Sequence, residues 1–429
     1  MNCKTSSLCL LDEQDVQTDI TGKKQVDFYP VTSLSPGAPI EFLIPGTNTE
    51  YLDLKNTDLH VIVQIVKKDG SVIDSTKDKV CLVNNPIASL FQDVFLTIGN
   101  TQVEGGQHCY PYNAYLSSVA AFHPSAKRTH MQAWGWNEDY PGKFDAATNS
   151  GIKFRSKETE NSKEWELIGP LFLDMFRQDR CLLPRTDVRI RLLPSKPEFA
   201  LQVYDAGSPD DYIFKITKCV LSVRRLDVID SVIAGHIKGM DRYNANYHVR
   251  HTDTTTFTIA KGHSNYIKDR LYVSRMPRAL IVGLLEHDAF NGNIRKSPFN
   301  FHHFNLNKIG LYADGELVPG QILQPNFKTG QILEAYVNTM KALDYFRTDD
   351  SNGLTIEHFK EGYTLYAFDL TPDGNINSSY RNINKGGSLR LEVNFDTPLA
   401  DTITVMLFAA FDAKVEITKF RDVIVNYNR

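Results

Sequence analysis

Phe95-Leu-Thr-Ile-Gly-Asn-Thr-Gln-Val-Glu-Gly-Gly106 and Ile309-Gly-Leu-Tyr-Ala-Asp-Gly-Glu-Leu-Val-Pro-Gly320 are one phrase written in both halves of the chain. Each reads as an apolar strand, a two-residue turn (Gly99-Asn100 or Asp314-Gly315), a short second strand and a closing glycine. Such turn residues tolerate the positive φ that a tight hairpin requires, so both phrases predict β-hairpins. A stretch of helical spacing follows each of them. Two further phrases recur in the same order. Gly169-Pro-Leu-Phe-Leu-Asp174 resembles Gly362-Tyr-Thr-Leu-Tyr-Ala-Phe-Asp369, and Val188-Arg-Ile-Arg-Leu192 resembles Leu389-Arg-Leu-Glu-Val393. Single phrases are common in β proteins, but their shared order points to a tandem duplication of one β-sandwich.

Size agrees with this reading. A chain of 429 residues exceeds one comfortable core, so two domains of about 200 residues each are expected. The 19 Tyr and 24 Phe, beside many Val, Ile and Thr, favour strands. The formal net charge is −4. Residues 1–26 set Lys4, Lys23 and Lys24 against Asp12, Glu13, Asp15 and Asp19, a slightly acidic arm unsuited to wrapping nucleic acid. The six cysteines are scattered without a C-x-x-C pair, which suggests reduced thiols and a cytosolic or nuclear setting. The sequon Asn377-Ser-Ser379 is no more than chance supplies. Ser7-Leu-Cys-Leu-Leu11 is too short for a secretory core. The apolar run Ile403 to Phe411 is too short to span a bilayer, so a soluble protein made in the cytosol is expected.

The sequence divides into an arm at 1–26, expected to be mobile, a first block at 27–228 and a second at 229–429. Strand signals fall at Ile40–Ile44, Leu59–Val66, Val188–Leu192, Ile213–Val223, Thr254–Ile259, Ala279–Leu285, Asn307–Tyr312 and Leu389–Phe395. Ile403–Phe411 is apolar on both faces, as a central strand covered on each side would be. Val415–Phe420 reads as a last strand. Helical spacing appears at Tyr110–Ala121 and, with Thr329 as N-cap, at Gly330–Phe346. The connector at 227–241 reads as a short helix. The fold class is all-β: two tandem eight-stranded jelly-roll sandwiches with a few short helices in connecting loops.

One stretch departs from a compact sandwich. Residues 123–164 show little periodicity, and loops of that length are usually functional or disordered. This insertion carries Trp134, Trp136, Tyr140, Phe144 and Phe154, and Trp165 follows it directly. Two readings stand: the aromatics fold back on their own domain, or Trp134, Trp136, Tyr140, Phe144 and Trp165 form a subunit interface, where Trp and Tyr dominate binding energy.

No catalytic, cofactor or metal motif appears: the sequence lacks G-x-x-x-x-G-K-[ST], G-x-G-x-x-G after a strand, H-E-x-x-H and G-x-S-x-G. Adjacent His302 and His303 would point to opposite faces of a strand, which suits packing better than a shared metal. The pairs Asp349-Asp350, Glu138-Asp139 and Asp210-Asp211 lie in loop or turn contexts.

Tyr51-Leu-Asp-Leu-Lys-Asn-Thr-Asp-Leu59, Asn84-Asn-Pro-Ile-Ala-Ser-Leu-Phe91, Tyr110-Pro-Tyr-Asn-Ala-Tyr115 and Gly169–Phe176 together resemble the double-jelly-roll major capsid proteins of Polinton/Maverick elements and adintoviruses. In the second half Phe290-Asn-Gly292, Pro298-Phe-Asn-Phe301, Gly362–Pro372 and Gly386–Phe395 resemble the same family. The resemblance spans residues 40 to 425. It implies a structural, non-enzymatic protein that forms pseudo-hexagonal homotrimeric capsomers of an icosahedral virion. That shell would enclose double-stranded DNA, with a penton or minor capsid protein as partner and synthesis in host cytoplasm. The alternative from another class is a two-domain carbohydrate-binding protein or glycoside-active enzyme, with Trp134 or Trp136 as a stacking platform. A third reading is a cellular gene derived from such an element, which keeps the fold and has lost assembly.

Overall fold

The computed structural model describes residues 16–427 apart from 206, 210, 273–274, 379 and 383–385. Residues 1–15 of the expected arm, with Cys3 and Cys9, lie outside the described residues, as do Asp210 of its turn and Ser379 of the sequon. In the first half the main strands are β1 (Ile20–Phe28), β2 (Ile40–Ile44), β3 (Tyr51–Lys67), β4 (Phe91–Ile98), β5 (Thr101–Glu104), β6 (Trp165–Pro170), β7 (Val188–Pro194) and β8 (Tyr212–Val228). In the second half they are β9 (Ala245–Ile259), β10 (Asn265–Lys268), β11 (Ala279–Glu286), β12 (Leu306–Ala313), β13 (Glu316–Leu323), β14 (Leu365–Asp369), β15 (Leu389–Phe395) and β16 (Ile403–Ile417).

The first half pairs these into sheets β1-β8-β3-β6 and β2-β7-β4-β5, the second into β9-β16-β11-β14 and β10-β15-β12-β13. Each strand of the second lobe thus repeats the place of the strand eight before it. A final strand, Val423–Asn426, adds to β16. Both expected hairpins form: Ile98 faces Thr101, and Ala313 faces Glu316. Gly99, Asp314 and Gly315 take the positive φ their turns need.

The period-two pattern sets which face is buried. Leu389, Leu391, Val393 and Phe395 are buried and Arg390 is exposed on β15; Val188, Ile190 and Leu192 are buried between exposed Arg189 and Arg191 on β7. The sheet β9-β16-β11-β14 behaves differently. On β16, Val405, Leu407, Ala409 and Phe411 enter the second lobe's own core, whereas Met406 and Phe408 join the core continuous with the first lobe. Strand β14 divides likewise, with Tyr366 and Phe368 on one side and Leu365 and Ala367 on the other. This sheet is the shared wall of the molecule, which explains why Ile403–Phe411 is apolar on both faces.

Four longer helices accompany the strands: α1 (Tyr110–Ala121), α2 (Ser150–Glu158), α3 (Asp230–Gly239) and α4 (Leu333–Ala342). Helices α1 and α2 lie in the connector from β5 to β6, and α4 lies in the equivalent connector from β13 to β14. The predicted stripe Tyr112, Tyr115, Leu116 and Val119 is buried on α1. Helix α3 links the lobes.

Four expectations are corrected. Residues 20–26, assigned to the arm, belong to β1 and pair with β8, because the rim of that sheet offers free backbone groups. Helix α4 starts at Leu333 with Ile332 as its N-cap, not Thr329. Val415 to Ile417 continue β16 rather than opening a new strand. The match of Gly169–Asp174 to Gly362–Asp369 is out of step: the first runs off the end of β6, while the second contains β14.

Candidate functional site

The aromatic insertion turns inward. Trp134 ends a 3-10 turn, His130–Trp134, and packs edge-on against Phe122 and Phe172 at centroid distances of 5.5 and 5.9 Å. Its ring lies where a side chain at Gly169 would stand, so that glycine is a packing requirement of β6. Trp136, 1% exposed, rests 5.3 Å from the Tyr115 ring. Phe144 packs 5.1 Å from Tyr363 of the second lobe. Trp165 is buried at the start of β6, and of the five candidate residues Tyr140 alone is well exposed. Trp134, Trp136, Phe144 and Trp165 thus serve as packing residues of their own chain, each at most 9% exposed, and of the five proposed interface residues Tyr140 keeps the open surface. The same burial removes Trp134 and Trp136 as sugar-stacking platforms.

These side chains build the seam between the lobes. Tyr115 of α1 stacks on Phe299 at 4.1 Å, and Tyr112 stacks on Phe290 at 5.5 Å. Tyr363 donates its hydroxyl to the Asp139 carbonyl at 2.9 Å, and the Ser297 amide donates to Asp145 Oδ1 at 2.6 Å. Lys127 Nζ donates to the Asn352 carbonyl at 2.7 Å, and Tyr345 donates to the Ala121 carbonyl at 3.1 Å. The two equivalent connectors therefore clasp each other. Burial pushes Lys127 down to about 8, and it raises Asp145 to about 6.

Beneath the clasp, Arg155 of α2 is sealed from solvent. It reaches Asp139 Oδ1 at 2.8 Å, the Leu82 carbonyl at 2.9 Å and the Asn137 carbonyl at 3.0 Å. Asn149 caps α2 by accepting from the Gly151 amide at 3.0 Å, and it donates to Asp139 at 2.8 Å. Every charge in this group has a partner, the condition under which a buried ion pair is tolerated.

A second polar cluster crosses the seam lower down. Asp174, just after β6, accepts from His251 Nδ1 at 2.8 Å, from the Thr252 amide at 3.1 Å and from the Thr252 hydroxyl at 2.9 Å, all on β9. Asn113 of α1 donates to the same Thr252 hydroxyl at 2.7 Å. Glu104 lies behind, accepting the Asp174 and Met175 amides at 2.7 and 2.8 Å. Burial first, then the Asp174 charge, raise the Glu104 carboxyl from 4.5 to about 8. The unfolded chain gives up this proton near 4.5, while the folded one keeps it to about 8. The stabilising contribution is therefore complete below the lower value and is lost as pH rises through the upper one. Glu104→Gln, neutral throughout, is expected to flatten that decline. Urea midpoints at about pH 5 and about pH 9 check it, and an equal fall in both proteins would clear Glu104 of the effect.

Among the described residues no group of three or more His, Cys, Asp and Glu could hold a metal ion. His303 stacks on Phe327 at 4.0 Å, and burial lowers it to about 4. The His302 amide donates to the Leu284 carbonyl at 3.0 Å. Sequence reasoning missed Arg155, Asp174 and His251, and it read Asp139 as part of a solvated loop pair, whereas Asp139 is buried against Arg155. Asp174 stood inside a quoted phrase, whereas Arg155 looked like one more charge in Lys153-Phe-Arg-Ser-Lys157. The arrangement fixes two lobes as one body.

No family model matches the chain. F54H12.2, an uncharacterized protein of Caenorhabditis elegans, is 26% identical over 402 residues, which cover 90% of this chain and 93% of that protein. Among solved structures, a chain of the Sputnik virophage superposes with a TM-score of 0.66 at 12% identity, covering 100% of this chain and 93% of that one. The mavirus major capsid protein superposes at 0.55 with 12% identity, covering 99% and 93%. This chain is a double jelly roll. The Faustovirus major capsid protein resembles this double jelly roll at a TM-score of 0.58 and 10% identity, covering 95% and 92%. No helix among the described residues of the double jelly roll is long and apolar enough to cross a membrane.

Proposed function

We propose that this double jelly roll is the major capsid protein of an icosahedral double-stranded DNA virus or virus-like transposon. The observation that carries this reading is the repeated strand order across both lobes, in an architecture that matches capsid proteins over nearly the full chain. Three copies would set six similarly wound lobes around a three-fold axis, so a trimer fills a six-neighbour position. Contacts around such a ring are heterologous, and obligate ones commonly bury about 2,000–5,000 Å². The Polinton/Maverick and adintovirus assignment rests on the quoted phrases. The lobes divide in this reading at 228/229. A penton partner, DNA enclosed without sequence reading, a virion location and synthesis in host cytoplasm complete it.

Mass measurement of the purified protein is expected to give three times the 48.6 kDa chain mass. Negative-stain images should show pseudo-hexagonal particles. A stable monomer that binds glycans would overturn the assignment. A second reading, a cellular gene that keeps the fold without the shell, is favoured by the nematode relative that spans almost the whole chain. Trimers that never assemble further would select it.

A further inference from the structure

A cavity of about 550 Å³ opens beside the connector helix, walled by Tyr51, Leu183, Leu226, Met240 and Tyr247. That volume suits a pocket enclosing a small ligand. Helix α3 faces it with Val232, Gly235, His236 and Gly239, the spacing of one helical stripe. Neither glycine has a positive φ, and a Cβ built on either meets nothing within 4 Å. The backbone does not need glycine there, and glycine weakens a helix relative to alanine. The two glycines instead keep the space hollow.

The lining surface is mostly apolar, and its two amides are spent within the protein: Asn244 donates to Glu416 and Asn246 to the Asn244 carbonyl. Tyr51 Oη and His236 Nδ1 are 2.7 Å apart. Arg180 is exposed at the wall and donates to the Asn246 carbonyl. Asp19 is the one carboxylate in the lining. Among the described residues Arg180 is the one arginine or lysine in the lining. Tyr243 is 75% exposed and Ile20 is 43% exposed among the lining residues, so apolar surface continues to the mouth.

We infer that this cavity binds a single-chain amphiphile with an anionic head, of the fatty-acid class: the tail lies along the glycine stripe of α3 and the carboxylate meets Arg180. The site is independent of shell assembly, and failure of either reading leaves the other standing. Titration of delipidated full-length protein with dodecanoate, below its micellar concentration, is expected to show one saturable site per chain. Arg180→Gln should weaken it at least about tenfold, as should replacing the carboxylate by a trimethylammonium head on the same tail. Gly235→Leu with Gly239→Leu should raise the melting temperature and abolish binding, which separates filling from unfolding. The inference is overturned by no binding, by equal binding of both head groups, or by binding to anionic vesicles without the free acid. It is also overturned if dodecanoate binds only after Leu10→Asp with Leu11→Asp, which would give the cavity to the chain's own amino-terminal residues.

Discussion

Arg155→Met is expected to lower folding stability by about 3–5 kcal/mol, because the substitution leaves a carboxylate buried without its counter-charge. Arg155 and Asp139 side chains are 0% and 1% exposed, and the guanidinium also satisfies two backbone carbonyls, Leu82 and Asn137. All three acceptors lose the guanidinium at once, and the Asp139 carboxylate keeps the Asn149 amide. Urea unfolding of wild type and variant measures the loss. The double variant Arg155→Met with Asp139→Asn should recover part of it, since no net charge then stays buried. A loss below about 1 kcal/mol, the range of exposed pairs, would mean that water reaches the pair.

Trp136→Ala should destabilise the folded chain by about 3–5 kcal/mol, the usual cost of emptying a large aromatic site in a core. The ring is 1% exposed and lies against Tyr115, which itself stacks on Phe299, so the cavity would open at the meeting of the lobes. Lys127 stands over the same ring at 5.8 Å and would lose that contact as well. The deficit should appear as a lower unfolding midpoint at any protein concentration. A variant that unfolds like wild type but falls apart into smaller species would return Trp136 to a contact between chains.

The fold was legible because its decisive signals are local. The turns Gly99-Asn100 and Asp314-Gly315 are fixed by backbone sterics, and the alternation of Leu389, Leu391, Val393 and Phe395 by the pleat. The two-sided burial of Ile403–Phe411 was readable for the same reason. The seam was not. Arg155 and Asp139 are far from Leu82 and Tyr363 in sequence, and nothing near them distinguishes a buried charge from a solvated one. Aromatic content at 123–165 marked the right region, yet composition cannot tell whether a ring faces its own chain or another. The shift between Gly169–Asp174 and Gly362–Asp369 shows how similar wording can sit at different points of a common winding.

The clasp has a further consequence for how this molecule meets others. Its two longest excursions, 105–164 and 324–364, occupy the same station in each lobe and meet through Phe144 on Tyr363, Lys127 on the Asn352 carbonyl and Tyr345 on the Ala121 carbonyl. Tyr140, Phe154, Leu333, Phe346 and Ile356 are the large apolar side chains they leave in solvent. A partner that docks on these segments would meet those exposed side chains and not the buried rings, so partner choice can drift while the joint within the chain stays closed.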